Sequence, residues 1–507
     1  MAKKIVIVGA GPGGLTAGMI LAHRGFDVHI YEKADRVGGR NAELRVGDHA
    51  FDTGPTFLMM KFLLDDIFTE VGRNSGDYMK FTILDPMYRL HFNDKILDIT
   101  QDREKMKAQI AQHFPGNEEG YDRFMKKEQK RFKHIVACLE KDYSSIGDFF
   151  SPIFLRAIPH IPFGKSLIEY LGNYFEPEEL RTAFTFQAKY LGMSPWNCPA
   201  FFVIMPFIEH KFGIYHVEGG LSRISDVMSD IIDEEGGKIH LNTGVKQVLL
   251  KGKKAIGIEL ENGDKVLADE VVMNADFAYA MNSLIPKGIL KKYSPEKLAK
   301  RDYSCSTFML YIGLDKVYED IPHHNIIFAS DYKENLKDIS ERRVLSDDTS
   351  IYVRNSVVTD ATTSPAGKSG FYVLVPVSNN KAGIDWAAEK IRYRNNVISI
   401  IAKRLGIEDF EDHIEAETII TPDDWEGNNV YLGAVFNLAH TLNQMLYFRP
   451  HNKFEELDNM YLVGGGTHPG SGLPTIYESG RISANMISKV YGIEYHKPTP
   501  DAHQDKL

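Results

Sequence analysis

Gly9-Ala10-Gly11-Pro12-Gly13-Gly14 fits G-x-G-x-x-G, a spacing that lets a chain turn sharply and bring its backbone against a phosphate. Gly9 permits the tight turn, Gly11 the close approach to a pyrophosphate, and Gly14 the close packing of a following helix on its strand. Pro12 and Gly13 lie between them, where a helix would start and place its N-terminus at the anion. Glu32 follows at the distance where an acid accepts hydrogen bonds from an adenosine ribose. Such residues need a frame to hold them. Residues 5–8 read as a buried strand, 13–24 as a helix and 27–31 as a second strand, so the chain opens with strand, helix and strand. A glycine turn that binds nothing would not need all of these in register.

The fingerprint alone does not separate FAD from NAD. Arg36-Val37-Gly38-Gly39-Arg40 follows at once, adding close-approach glycine and a guanidinium for phosphate, and this extension favours FAD. With it the residues resemble the flavin amine oxidase superfamily, in which the acid of the second strand is followed by a Gly-Gly-Arg turn. Phe51-Asp52-Thr53-Gly54-Pro55 is similar to that superfamily's segment beside the flavin. The stretch Tyr461-Leu462-Val463-Gly464-Gly465-Gly466-Thr467-His468-Pro469-Gly470-Ser471-Gly472-Leu473-Pro474 is similar to the C-terminal signature of carotenoid desaturases of the bacterial phytoene desaturase type. Glu218-Gly219-Gly220 and Tyr447-Phe448-Arg449-Pro450-His451-Asn452 match as well, so the resemblance runs from the first strand to the last helix.

The resemblance implies a doubly wound, Rossmann-like FAD-binding domain of the amine-oxidase type, joined to a second, mixed α+β substrate domain. It implies a bent apolar tunnel and stepwise dehydrogenation of a linear isoprenoid polyene, phytoene or a shorter squalene-derived chain, in carotenoid biosynthesis. Besides Gly9, Gly11, Pro12, Gly13, Gly14 and Glu32, it implies FAD contacts at Lys33, Gly39, Arg40, Gly54, Pro55 and Thr56. Val245, Gly465, Thr467, Gly472, Leu473 and Pro474 complete that set. His468 becomes a flavin-pocket residue and a candidate catalytic group. Arg156 resembles a position where an arginine has been considered beside the substrate, but Ile153 stands where some members carry an acid, which weakens an Arg–Asp pair. Carotene isomerases, a retinol saturase and carotenoid ketolases share the FAD frame, and these motifs do not separate them. Two further readings are a non-catalytic prenyl-lipid-binding escort, which would not need a complete FAD fingerprint, and an amine oxidase, which the desaturase-like ending disfavours.

Removing two hydrogens from a saturated bond between unsaturated neighbours sends a hydride to the flavin and a proton to a base or water, through a conjugated allylic cation. The cofactor carries the hard chemistry, and the protein supplies alignment and dryness. No G-x-S-x-G elbow, His-Glu-x-x-His site or P-loop is present, so hydrolase, metalloprotease and NTPase readings lack support. The aromatic-rich segment 148–213 shows no cluster of charged groups, which points to an apolar substrate.

The 507 residues suit two domains with a cleft. Residues 1–75, 215–285 and 455–492 are expected to form the FAD-binding domain, 76–214 and 286–454 the substrate domain, and 493–507 a loose polar tail. A net charge of -10 argues against nucleic acid as a partner. Cys138, Cys198 and Cys305 have no metal-ligand spacing and fit a reducing cytosol. The start of the chain runs straight into a strand, without a signal-peptide pattern, and no apolar run is long enough to span a bilayer. The basic runs 123–134 and 289–301 suggest peripheral attachment at the inner, anionic face of the membrane. Oxygen or a quinone is the expected electron acceptor.

Overall fold

Lys4–Val8 (β1) is almost wholly apolar and buried, which suits a central parallel strand covered on both faces. In the computed structural model, which describes residues 2–191, 193–501 and 503–506 with the side chains of 189–191 outside the description, β1 pairs in parallel with Asp27–Tyr31 (β2). Glu270–Met273 pairs with the other edge of β1, and Met460–Leu462 and Lys238–His240 extend the sheet to five parallel strands. Pro12–His23 (α1) joins β1 to β2 and packs against Ser222–Glu234 and the closing helix Leu473–Val490. Nearly all of α1 is buried, as befits a helix covered on every side. The α/β fold is therefore the expected one, a doubly wound parallel sheet beside a larger mixed sheet.

Some expected elements differ in detail. Helix α1 starts at Pro12, whose fixed φ and missing N–H suit a first helical position, and the closing helix starts at Leu473 with Pro474 in its first turn. Between residues 238 and 274 only Lys238–His240 and Glu270–Met273 join the parallel sheet. Val245–Lys251, Lys254–Leu260 and Lys265–Leu267 form a separate antiparallel meander. The tail is not free of contacts: His503 bonds to Glu140 and Asp66 and its ring packs against Phe62; burial opposes its charge, but the two carboxylates outweigh that and raise its pKa to about 9.

A seven-stranded sheet is built from Tyr88–His91, Ile96–Ile99, Ser306–Leu314, His324–Ile327, Ile351–Asn355, Ser369–Val377 and Ile414–Ile420. All its pairings are antiparallel except that of His324–Ile327 with Tyr88–His91. The hairpin Glu43–Val46 and His49–Asp52 lies on this sheet, where Val46 and Phe51 pack with Met309, Tyr311 and Tyr372. An aromatic-rich core covers much of the segment before residue 214, including the helices Glu118–Ile135 and Ile204–Phe212. The first helix turns Tyr121, Phe124, Phe132 and Ile135 inward and leaves Arg123, Lys126, Lys127, Lys130 and Lys133 exposed, so this basic run is an amphipathic surface helix. In the second run, Lys291, Lys292, Lys297, Lys300 and Arg301 rim an open surface hollow. No helix among the described residues is long and apolar enough to cross a membrane.

Candidate cofactor and substrate site

A cleft of about 460 Å³ opens where β1 meets α1. Of the residues expected to hold FAD, it is lined by Gly9, Gly11, Pro12, Glu32, Lys33, Gly39, Arg40, Pro55, Val245, Gly465 and Leu473. Glu32 is fixed at the end of β2: one carboxylate oxygen accepts from the Ala10 N–H at 2.7 Å and the other from the Ala34 N–H at 2.9 Å. The acid is thereby aimed and keeps lone pairs for ribose hydroxyls.

Gly13 and Gly14 do not line the cleft but make it possible. A Cβ on Gly14 would sit 2.5 Å from the Gly9 carbonyl oxygen and 2.7 Å from Asn274 Nδ2. A Cβ on Gly13 would meet the Gly464 nitrogen at 3.0 Å, at the place where the closing segment crosses the turn. The Asn274 amide donates to the carbonyls of Gly9 (3.0 Å) and Gly11 (3.2 Å), bracing the turn from the neighbouring strand.

A second cavity, of about 230 Å³ and overwhelmingly apolar, shares Arg40, Thr53, Pro55, Trp425, Gly465, Leu473 and Ile476 with the cleft. The expected residues Gly54, Thr56, Gly472 and Pro474 line it. Its floor belongs to the seven-stranded sheet, through Met309, Tyr352, Tyr372 and Leu374, and its far wall to Phe57, Phe186 and Met205. Among the described residues no carboxylate lines it. Tyr311 and Tyr372 donate to the carbonyls of Thr53 and Gly54, so the mixed sheet holds the segment between the two cavities. Asp52, just before it, pairs with Arg354 at 2.6 Å and accepts from the Ser222 N–H at 3.0 Å. The Glu218-Gly219-Gly220 match finds its reason here, because a Cβ on Gly220 would come within 2.7 Å of that carboxylate.

The closing loop is clamped by Arg449, which sequence reading quoted within a motif and gave no role. Fully buried, it donates to the carbonyls of Gly465 (2.6 Å), Thr467 (3.0 Å), Gln444 and Leu438 (both 3.3 Å). Burial pushes its pKa down to about 9, yet four carbonyl acceptors suit a guanidinium that stays charged. Thr467 is buried and donates to the Pro450 carbonyl, so it shapes the loop without lining either cavity.

The two candidate catalytic residues are not brought to the cavities. His468 is buried with Nε2 bonded to the Lys141 carbonyl at 2.8 Å and its ring on Tyr143, and burial above all lowers its pKa to about 3. It is a neutral core histidine. Arg156 stands half exposed and pairs at 3.1 Å with the exposed Asp501 of the tail. Pattern reading also missed Asn274, Asp276 and Tyr352. Asp276 lines the cleft 3.9 Å from Arg40; burial raises its pKa, and the guanidinium opposes that shift. Residues of this kind come from strands far along the chain and carry no local motif.

The two cavities together fall within the ~300–1,000 Å³ of ordinary cofactor and ligand sites. The glycine cradle, the aimed acid and the helix N-termini at Gly11 and Gly472 fit a dinucleotide with its ring system at the shared wall.

Comparison with known proteins agrees with this geometry. The family model of flavin containing amine oxidoreductases matches residues 12–488. The chain is 51% identical to a 4,4'-diapophytoene desaturase (4,4'-diapolycopene-forming) of Methylomonas sp, over 97% of this chain and 96% of that protein. It is 37% identical to the zeta-carotene-forming phytoene desaturase of Myxococcus xanthus, over 96% and 94% respectively. Among solved structures, an oxidoreductase from Methanosarcina mazei shares the fold with a TM-score of 0.62 at 17% identity, covering 96% of this chain and all of that one. The glycine cradle, the closing signature and near full-length likeness together mean that the chain belongs to the carotenoid desaturase family of flavin-containing oxidoreductases.

Proposed function

We propose that the protein is an FAD-dependent desaturase of a linear isoprenoid polyene, either phytoene or a shorter chain of the diapophytoene kind. The observation that carries this reading is the apolar cavity, which shares its wall with the cofactor cleft and has no carboxylate among its described lining. A polyene needs only shape and dryness, and a mostly apolar wall without carboxylates among its described residues supplies both. The 51% identity to a diapophytoene desaturase favours the shorter chain.

When bound, FAD supplies a two-electron acceptor for hydride. The chain's own residues supply the rest. Gly9, Gly11 and the start of α1 take the pyrophosphate, and Glu32 takes the ribose hydroxyls. Arg40 sits at the junction, with one guanidinium nitrogen 2.7 Å from the Val435 carbonyl, and is the proposed phosphate partner. The N-terminus of the closing helix favours negative charge developing on the ring system. Segments 1–75, 215–285 and 455–492 form the cofactor-holding unit in this reading. Phe57, Phe186, Met205 and Met309 keep water from the reacting carbons.

Membrane attachment is part of the proposal. Ile146, Phe150, Leu155 and Phe163 are 66%, 72%, 50% and 72% exposed along one short stretch. That stretch is tied to the basic helix by Arg131, which donates to the His160 carbonyl, and by the stacked rings of His134 and His160. Exposed apolar groups beside lysines suit an anionic bilayer, where the polyene dissolves and where oxygen or a quinone can accept electrons. Purified protein should be yellow, release FAD on denaturation and float with anionic liposomes. Without oxygen, its flavin band should bleach on addition of polyene-loaded liposomes and not with simple amines. A colourless protein, or bleaching by amines alone, would overturn the reading.

A further inference from the structure

A chain of three polar side chains runs from the apolar cavity into the protein. Thr56 and Tyr352 both line the cavity, and Thr56 Oγ1 lies 2.7 Å from the Tyr352 hydroxyl. That hydroxyl lies 2.8 Å from Nδ1 of His324, which is fully buried behind the wall. Strands His324–Ile327 and Ile351–Asn355 place Tyr352 and His324: Ile326 opposes Tyr352 and His324 opposes Arg354, all on one face of the sheet. The imidazole takes no part in the cofactor cradle, and its burial behind a mostly apolar wall calls for a role.

Resting on the desaturase reading above, we propose that Thr56, Tyr352 and His324 form the relay that takes the proton lost by the polyene. Two hydrogens leave the substrate. One departs with its electron pair to the oxidised flavin, and the resulting allylic cation then breaks a neighbouring C–H bond. The electrons of that bond become the new C=C bond, and the proton passes to a cavity hydroxyl. Tyr352 in turn gives its own proton to His324 Nδ1, so the hydroxyl is restored and the charge ends on the imidazole. Between turnovers the proton returns to solvent through the same hydroxyls.

The surroundings suit the task. Burial first, then Arg354 and His216, hold the His324 pKa well below the ordinary value, so the ring rests neutral, and the tautomer with its proton on Nε2 leaves Nδ1 to accept. A weak base is enough, because a C–H bond beside a carbocation is a far stronger acid than an imidazolium. Arg354 is itself paired with Asp52, which offsets the nearby positive charge. The Phe57 ring is stacked on His324 with centroids 4.1 Å apart, offering its π face to the cation that forms. His323 completes the surroundings, its ring 4.4 Å from that of His324 and its Nε2 bonded to Arg354.

The test uses FAD-loaded protein and polyene-loaded liposomes, following turnover and anaerobic flavin bleaching for wild type, Tyr352→Phe, His324→Asn and the double variant. Asparagine keeps an acceptor oxygen near the position of Nδ1 but cannot hold the proton. General-base assistance of this kind is worth ~10²–10⁴-fold. Each single variant should therefore lose about 100-fold or more in kcat with KM within about threefold, and the double variant should be no worse than either. A purely structural role would instead show as a raised KM or weakened FAD retention, with kcat of the FAD-replete variants within about threefold of wild type. Thr56→Val, which keeps the shape of threonine, replaces any variant that fails to retain FAD and should lose about tenfold. Folded, FAD-replete variants turning over within about threefold of wild type overturn the relay alone. A wild type that leaves the polyene unchanged overturns both the relay and the desaturase reading.

Discussion

Replacing Gly14 with alanine tests whether the cofactor cradle depends on the close crossing of α1 and β1. The new Cβ would stand 2.5 Å from the Gly9 carbonyl oxygen and 2.7 Å from Asn274 Nδ2, so the helix must back away by most of an ångström. Overpacking of this sort costs ~1–3 kcal/mol. Displacing Asn274 puts its two hydrogen bonds to the turn at risk, at ~1 kcal/mol each. Alanine returns ~1 kcal/mol through its better helix propensity. The net is ~2–4 kcal/mol, and because the strain falls on the turn that takes the pyrophosphate, it should appear as FAD affinity weakened about 30- to 700-fold. Equilibrium dialysis of FAD against apo-protein reads this directly. Gly427→Ala serves as control, since its Cβ would meet nothing within 4 Å. If Gly14→Ala binds FAD within threefold of wild type, the cradle does not work by close approach.

Arg449→Met should destabilise the protein by ~3 kcal/mol or more, because it strips the donor from four buried carbonyls around the closing loop; denaturant unfolding and FAD content measure it. Glu209 is fully buried against Tyr88 and Gln187, and burial lifts its pKa from the ordinary 4.5 to about 8. The folded state thus holds a proton that the unfolded state releases, so this group's contribution is whole below pH 4.5 and is lost between there and about 8. Glu209→Gln should remove that loss, and the stability gap between variant and wild type should widen by ~1.4 kcal/mol per pH unit across the window. Arg156→Ala should shift stability by less than ~1 kcal/mol, as an exposed pair does, and should leave anaerobic flavin bleaching within about twofold.

The cofactor half of the site was legible because its chemistry is local. A turn that must approach phosphate needs glycine at fixed spacing, and an acid at the end of β2 needs only a strand of the right length. Most of the expected contacts therefore line one of the two cavities. The sequence could not show that Thr467 and His468 turn into the core, because a buried and a cavity-facing histidine look alike in a glycine-rich loop. Arg156 failed for a similar reason: its partner Asp501 lies in a tail that composition alone marks as loose. Tyr352, His324 and Asn274 act through pairings between strands hundreds of residues apart in places, and no spacing announces them.

Colour reports desaturation of a polyene directly. The protein should be produced in two otherwise colourless bacterial hosts, one accumulating phytoene and one diapophytoene, and the extracted pigments examined by absorption spectroscopy. New bands at longer wavelength are expected, stronger in the host making the shorter chain, because each desaturation extends the conjugated system. Unchanged spectra in both hosts, from cells that contain folded, FAD-bound protein, would contradict the desaturase reading.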